Sequence, residues 1–174
     1  MNLLQEIFGI VPTVPGSWTI PGPAGNAAMM GSVLEQRNGG MMLVDPHTSG
    51  EALLALRAEA AARGAELVVI DHGSPRWEEE FVARFEQATA TGRAVWLATD
   101  MGGQSSHNLE GVNLAAWFGP LNTLLDDNRM FQTSSGVAMS LPAHMRVLFV
   151  APPTAMATMS PATIARLGMV DATS

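Results

Sequence analysis

Residues 41–71 read "MMLVDPHTSGEALLALRAEAAARGAELVVID". The run "MMLVD" (41–45) is short, apolar and ends on an acid, the pattern of a buried strand. "SGEALLALRAEAAARGA" (49–65) follows as an amphipathic helix, with Ser49 placed to cap its start and Gly64 to close its end. "ELVVID" (66–71) is a second apolar run ending on an acid. Strand, helix, strand in 31 residues is the alternation of an α/β fold with a mainly parallel sheet.

The alternation continues outward. "SPRWEEEFVARFEQATA" (74–90) predicts a helix, with Ser74 as cap, Pro75 at the first helical position and acids in the first turn. "RAVWLATD" (93–100) and "MRVLFVA" (145–151) predict strands; "SPATIARLG" (160–168) predicts a short helix closed by Gly168, before a last strand, "MVDA". Upstream, the spacing predicts a helix over 2–8, a strand at "SWTI" (17–20), a helix over 27–37 and a stop at "NGG" (38–40). "NLAAWFGPLNTLLDDN" (113–128) reads as mostly helical with an irregularity at Gly119-Pro120, and 130–141 as a β-hairpin around "SSG". The expectation is an α/β fold with a mainly parallel sheet, in one domain spanning 1–174. The chain stops directly after its last strand, which suggests a lobe of a longer polypeptide.

Composition narrows the partners. The chain is 47% hydrophobic, enough for a proper core, and carries a net charge of −7. That sign argues against non-specific binding to nucleic acid or anionic lipid. No apolar run approaches the roughly 18 residues needed to span a bilayer, and "MNLLQEIFGI" lacks the basic start of a secretory signal. Without cysteine there is no disulfide, thiolate or Cys-ligated zinc. All nine basic residues are arginine, so no lysine chemistry can run on this chain alone.

Four constellations could carry chemistry. "PGPAGNAAMM" (21–30), between a strand candidate and a helix candidate, has the setting of a phosphate loop. It keeps Gly22 and Gly25, and the helix N-terminus behind them favours an anion. A working loop also needs a lysine and a hydroxyl, and an ordinary strand-to-helix turn explains the segment as well. Asp45, Asp71 and Asp100 each end an apolar strand, where one acid of a nucleotide site holds Mg²⁺, but none is followed by the glutamate that would activate water. Such acids are also common where strands meet solvent. His47, His72, His107 and His144 have no metal-ligand spacing, and no G-x-S-x-G is present, so neither a metal site nor a serine hydrolase is expected. Arg166 ends the helix 160–168, where it suits the helix dipole; it could equally be presented to a neighbour's phosphate.

"VNLAAWFGPLNTLLDDN", "MFQTSSGVAMSLPAHM", "RVLFVA" and "SPATIARLGMV" succeed one another over residues 112–170. Their order and spacing resemble the dynein heavy chain, in particular the second AAA+ module of its motor ring, where V-D-x-x-W-I-E-x-L-N-T-V-L-D-D-N, a hairpin, L-F-E-V and S-P-A-T-V-S-R-C-G-M-V follow in turn. Upstream the likeness is weaker but collinear. "LLQEIFGIVPTVPGSWTIPGPAGNAAM" resembles the helix, strand and loop G-P-T-G-x-G-K-T, "MMLVDP" a strand ending L-N-P, and "RWEEEFVARFEQA" E-W-T-D-G-x-x-x-x-x-x-R. "RAVWLATDMG" resembles W-I-V-F-D-G, which sets Asp100 at the metal-side aspartate; a rival register would use Glu110.

The resemblance implies a P-loop NTPase-like (AAA+) three-layer sandwich with a five-stranded sheet and a hairpin insertion at 130–141. The chain would be the large lobe, without the helical lid. Gly22, Pro23, Gly25, Ala28, Met29 and Asp100 would form a degenerate nucleotide site. The family lysine falls on Ala28, its threonine on Met29 and a tight-turn glycine on Asn26; the polar residue after "LFV" falls among Ala151, Pro152 and Pro153. ATP or ADP with Mg²⁺ is therefore expected to bind weakly or not at all, with no ATPase activity of its own. Arg166 matches the arginine that reaches the neighbouring first module's nucleotide as an arginine finger. The implied role is a coupling unit of a microtubule motor, cytoplasmic or axonemal, with adjacent AAA+ modules of the same heavy chain as partners. Two rivals are a stand-alone pseudo-ATPase scaffold and an active enzyme in which Arg37 replaces the lysine.

Overall fold

The computed structural model describes residues 22–72, 76–101, 121–132 and 136–173. Five strands form one sheet: β1 (Gly39–Leu43), β2 (Glu66–Asp71), β3 (Val95–Asp100), β6 (Met145–Ala151) and β7 (Gly168–Asp171). Their order is β2-β3-β6-β1-β7 and every pairing is parallel. β4 (Met130–Gln132) and β5 (Ala138–Ser140) form a separate antiparallel hairpin. The α/β expectation holds, with an all-parallel rather than mainly parallel main sheet and the hairpin outside it.

Alternation along the strands builds two cores. On β1 and β6, Met41, Leu43, Val147 and Phe149 face one side, and Met42, Val44, Leu148 and Val150 face the other. Both faces are covered, which is why these strands read as unbroken apolar runs. The second side packs under α1 (Gly22–Gln36) and α2 (Ser49–Ala62) through Ala27, Met30, Leu34, Leu56 and Ala60. The first packs under α3 (Trp77–Thr91), α4 (Asn122–Leu125) and the hairpin. There Phe81, fully buried, stacks on Trp77 at 4.9 Å and meets Phe131 at 5.0 Å. Burying one such ring contributes about 1.5–3 kcal/mol. A short helix α5 (Pro161–Arg166) leads into β7.

Several predicted boundaries move. Helix 27–37 becomes α1 from Gly22 to Gln36, so the turn expected at 22–26 is helical. The strand after "NGG" begins at Gly39, not Met41. A Cβ at Gly39 would overlap Leu125 and press on the Val147 carbonyl, and one at Gly40 would stand 2.6 Å from Met30 Sδ. These glycines are therefore a close approach within the strand, not a stop. Gly168 likewise opens β7 instead of closing a helix, because a Cβ there would overlap Val33 of α1.

Ser49 is the first residue of α2, not its cap; its hydroxyl donates back to the Pro46 carbonyl at 3.2 Å. α4 ends at Leu125, before the expected 128. Asn38 Nδ2 donates to the Asp126 carbonyl at 2.7 Å, and Asp126 Oδ1 accepts from the Asn128 N–H at 2.9 Å, which turns the chain. Gly92, at φ 66°, closes α3 as a left-handed cap. The expected helix 2–8, strand 17–20, Ser74–Pro75 cap, Gly119-Pro120 irregularity and Glu110 lie outside the described residues.

Candidate functional site

In an open parallel sheet, ligands sit beyond the carboxyl ends of the strands. Here β1 extends one residue further by the Val44 N–H donating to the Ala151 carbonyl at 2.9 Å. Asp45 then starts a single 3-10 turn (Pro46–Thr48), fixed by Thr48 Oγ1 donating to the Asp45 carbonyl at 3.0 Å, and α2 begins. This turn and the first residues of α1 enclose a cavity of about 210 Å³. Gly22, Pro23 and Asn26 line one side; Asp45, Thr48 and Glu51 line the other; Met42 and Val44 supply apolar wall. None of the described residues that line it is basic.

Strand, tight loop, helix is the setting of a phosphate loop, and among the described residues β1, which lies between β6 and β7, and α2 have that setting. Against G-x-x-x-x-G-K-[ST], Gly50 keeps the second glycine, Asp45 stands at the first, Glu51 at the lysine and Ala52 at the hydroxyl. The segment expected to hold that loop, 22–29, lies in α1, ahead of β1. Gly22 and Pro23 still reach the cavity; Gly25 is buried in the helix, Ala28 is half-buried, and Met29 is exposed. The spacing Asp45-x₄-Gly50-Glu51 was the signal in the sequence for Thr48 and Glu51. It was obscured because both of its diagnostic positive and hydroxyl positions are substituted.

The neighbouring strand ends are also acidic. Asp71 of β2 and Asp100 of β3 are register partners at the edge, and Asp171 ends β7. Two further features disfavour a triphosphate. β6, between β1 and β3, ends in the buried pair Ala151 and Pro152 with no polar side chain. His72 follows Asp71, its N–H donating to the Asp100 carbonyl at 3.0 Å; burial lowers its pKa below the usual 6.5, while the charges of Asp71 and Asp100 act to raise it. A neutral imidazole adds no positive charge. The Asp171 carboxyl is held below its ordinary value by the Thr173 hydroxyl and backbone N–H. Among the described residues no group of three or more acids and histidines could hold a metal ion.

The opposite edge is cationic. Arg37 precedes β1, Arg63 precedes β2, Arg93 precedes β3, Arg146 is the second residue of β6, and Arg166 precedes β7. Arg37 donates to the Ala165 carbonyl at 3.3 Å on this edge, at the far end of the sheet from Glu51, so it does not replace the missing lysine. Arg166 Nη1 donates to Ala162 of its own helix at 2.8 Å, while its buried Nε has no partner among the described residues. The strand β7 separates Arg166 from the acidic cavity, so Arg166 stands away from this chain's own candidate site.

The mounting of Arg166 joins two segments that are distant in the chain. Ser160 caps α5, its hydroxyl accepting from the Thr163 N–H at 3.3 Å. Thr163, fully buried, donates through Oγ1 to Asn122 Oδ1 at 2.8 Å. "LNTLLDDN" and "SPATIARLGMV" are thus one polar joint carrying Arg166. Comparison with protein-family models and with curated proteins finds no match.

Proposed function

We propose that the chain is the α/β lobe of a dynein-type AAA+ module whose own nucleotide site is degenerate. Its work would be mechanical coupling in a motor ring, with Arg166 offered to a neighbouring module's ATP. The observation that carries this reading is the charge polarity of the sheet. At the phosphate-loop position, Glu51 replaces a cation by an anion. Two unit charges 4 Å apart near a protein surface interact by about 4 kcal/mol, so that replacement opposes a triphosphate strongly. At the opposite edge, Arg166 stands half-buried on a hydrogen-bonded joint, its Nη1 donating to the Ala162 carbonyl of its own helix. A module built this way gives nothing to its own phosphates and can give a cation to a neighbour's.

The adjacent modules of the same heavy chain would be its direct partners and microtubules its indirect ones, in the cytoplasm or an axoneme. Among the described residues no helix is long and apolar enough to cross a membrane. Calorimetric titration of the chain with Mg·ATP tests the degenerate site: no binding at micromolar concentration is expected, and micromolar affinity would sink it. Arg166→Ala in the assembled ring tests the finger. A loss of about 10³-fold or more in the neighbour's turnover is expected, and unchanged turnover would remove the role. A stand-alone pseudo-ATPase scaffold differs in its flanking sequence, which would lack further AAA+ modules.

A further inference from the structure

The arginine edge of the sheet contains a second cleft of about 210 Å³, lined by Gly31, Glu35, Arg63, Trp96, His144 and Arg146 among others. Two guanidinium-bearing side chains converge on it from different elements. Arg63, just past α2, lies over Gly31 of α1, where a Cβ would overlap its Nε and stand 2.7 Å from its Cζ. The missing side chain at Gly31 is what admits Arg63. Arg146 enters from β6 and is held by neutral acceptors only: Nε donates to the Leu34 carbonyl at 2.7 Å, and Nη1 donates to those of Ala143 and Met145, both at 2.9 Å. Its Nη2 takes part in none of these bonds.

Arg146 has no carboxylate partner among the described residues. Arg129, whose own Nη2 donates to the Pro142 carbonyl at 3.2 Å, adds a second positive charge nearby. Half-burying a cation beside another cation on carbonyls alone carries a desolvation cost, which an anion bound at the site would offset. Arg63 already has two anions, Glu59 at 2.7 Å and Glu35. Glu59 is on its own helix, whereas Glu35 is an exposed side chain at the mouth of the cleft. A carboxylate therefore already occupies part of the position that an incoming oxyanion would take.

We propose that this cleft is a binding site for a small oxyanion, a phosphate or carboxylate group, gripped by Arg146 and by Arg63 once Glu35 swings out. The volume suits an inorganic phosphate or the acidic head of a small metabolite and is below the range of pockets that enclose a nucleotide. The site is independent of the acidic cavity at the other edge, so its fate does not depend on the proposed ring function.

The test is calorimetric titration of the whole chain with inorganic phosphate, and separately with succinate, at low ionic strength. Saturable millimolar binding of at least one anion is expected, and the preferred anion identifies the source. Arg146→Gln should weaken binding at least about tenfold. Glu35→Gln, at an exposed position that does not threaten folding, should strengthen it severalfold by releasing Arg63. Absence of saturable binding for both anions overturns the proposal. So does parental affinity in a folded Arg146→Gln, or unchanged or weaker affinity in Glu35→Gln.

Discussion

The two edges of the sheet differ in the charge their strands carry. At the carboxyl edge, β1, β2, β3 and β7 run out into Asp45, Asp71, Asp100 and Asp171, and the loop after β1 adds Glu51. At the amino edge, all five strands have an arginine within three residues of their start. A nucleotide-binding sheet gathers positive charge at its carboxyl edge, around the phosphates. In this chain that charge stands at the other end. The difference teaches that a shared architecture does not fix which edge binds anions; a few side chains at strand ends do.

The largest test of this contrast rebuilds the carboxyl edge. Asp45→Gly, Glu51→Lys and Ala52→Thr together restore the glycine, lysine and hydroxyl of a phosphate loop. Mg·ATP affinity should rise by about 100-fold or more over the parent, read by calorimetry. No gain would mean that the β1–α2 loop is not the phosphate position. Next, the amino edge depends on close backbone approach. Gly168→Val should cost about 1–3 kcal/mol in chemical denaturation, through its clash with Val33. Gly50→Val, at the carboxyl edge with nothing within 4 Å of its Cβ position, should cost less.

A comparable effect probes the mounting of Arg166. Thr163→Val leaves Asn122 Oδ1 without the hydroxyl that it accepts from, and should cost about 1–3 kcal/mol. If the joint positions the finger, the same change should lower the neighbour's turnover in an assembled ring even where the lobe stays folded. The smallest concerns His72. Its folded pKa is lowered by burial, so the unfolded chain binds the proton more readily. The stability it contributes is present above the ordinary value of 6.5 and lost as pH falls below it toward the folded pKa. Thermal melts should therefore fall less steeply below pH 6.5 in His72→Gln than in the parent; equal slopes would remove His72 as the source.

Much of the architecture was legible in the chain. Unbroken apolar runs ending in aspartate marked strands buried on both faces, and amphipathic stretches between them marked the covering helices. The order of those segments implied parallel pairing, because a strand rejoining the sheet after a helix arrives in the same direction. The candidate site was harder. "PGPAGNAAMM" has the glycines of a phosphate loop, so it drew the assignment. "VDPHTSGEA", which borders the acidic cavity, has neither lysine nor the G-x-x-x-x-G-K-[ST] pattern that would draw the eye.

By itself, then, the sequence determined the α/β class, the hairpin and the absence of lysine. Those follow from local periodicity and residue chemistry, which need no knowledge of distant contacts. Tertiary structure decided that β1 lies between β6 and β7 and that the loop after it borders the acidic cavity. It also decided that Asn122 meets Thr163, that Gly31 admits Arg63, and that the aspartates at strand ends and the arginines at strand starts stand at opposite edges. Each of these depends on residues far apart in the chain meeting in space, and spacing along the sequence does not encode that.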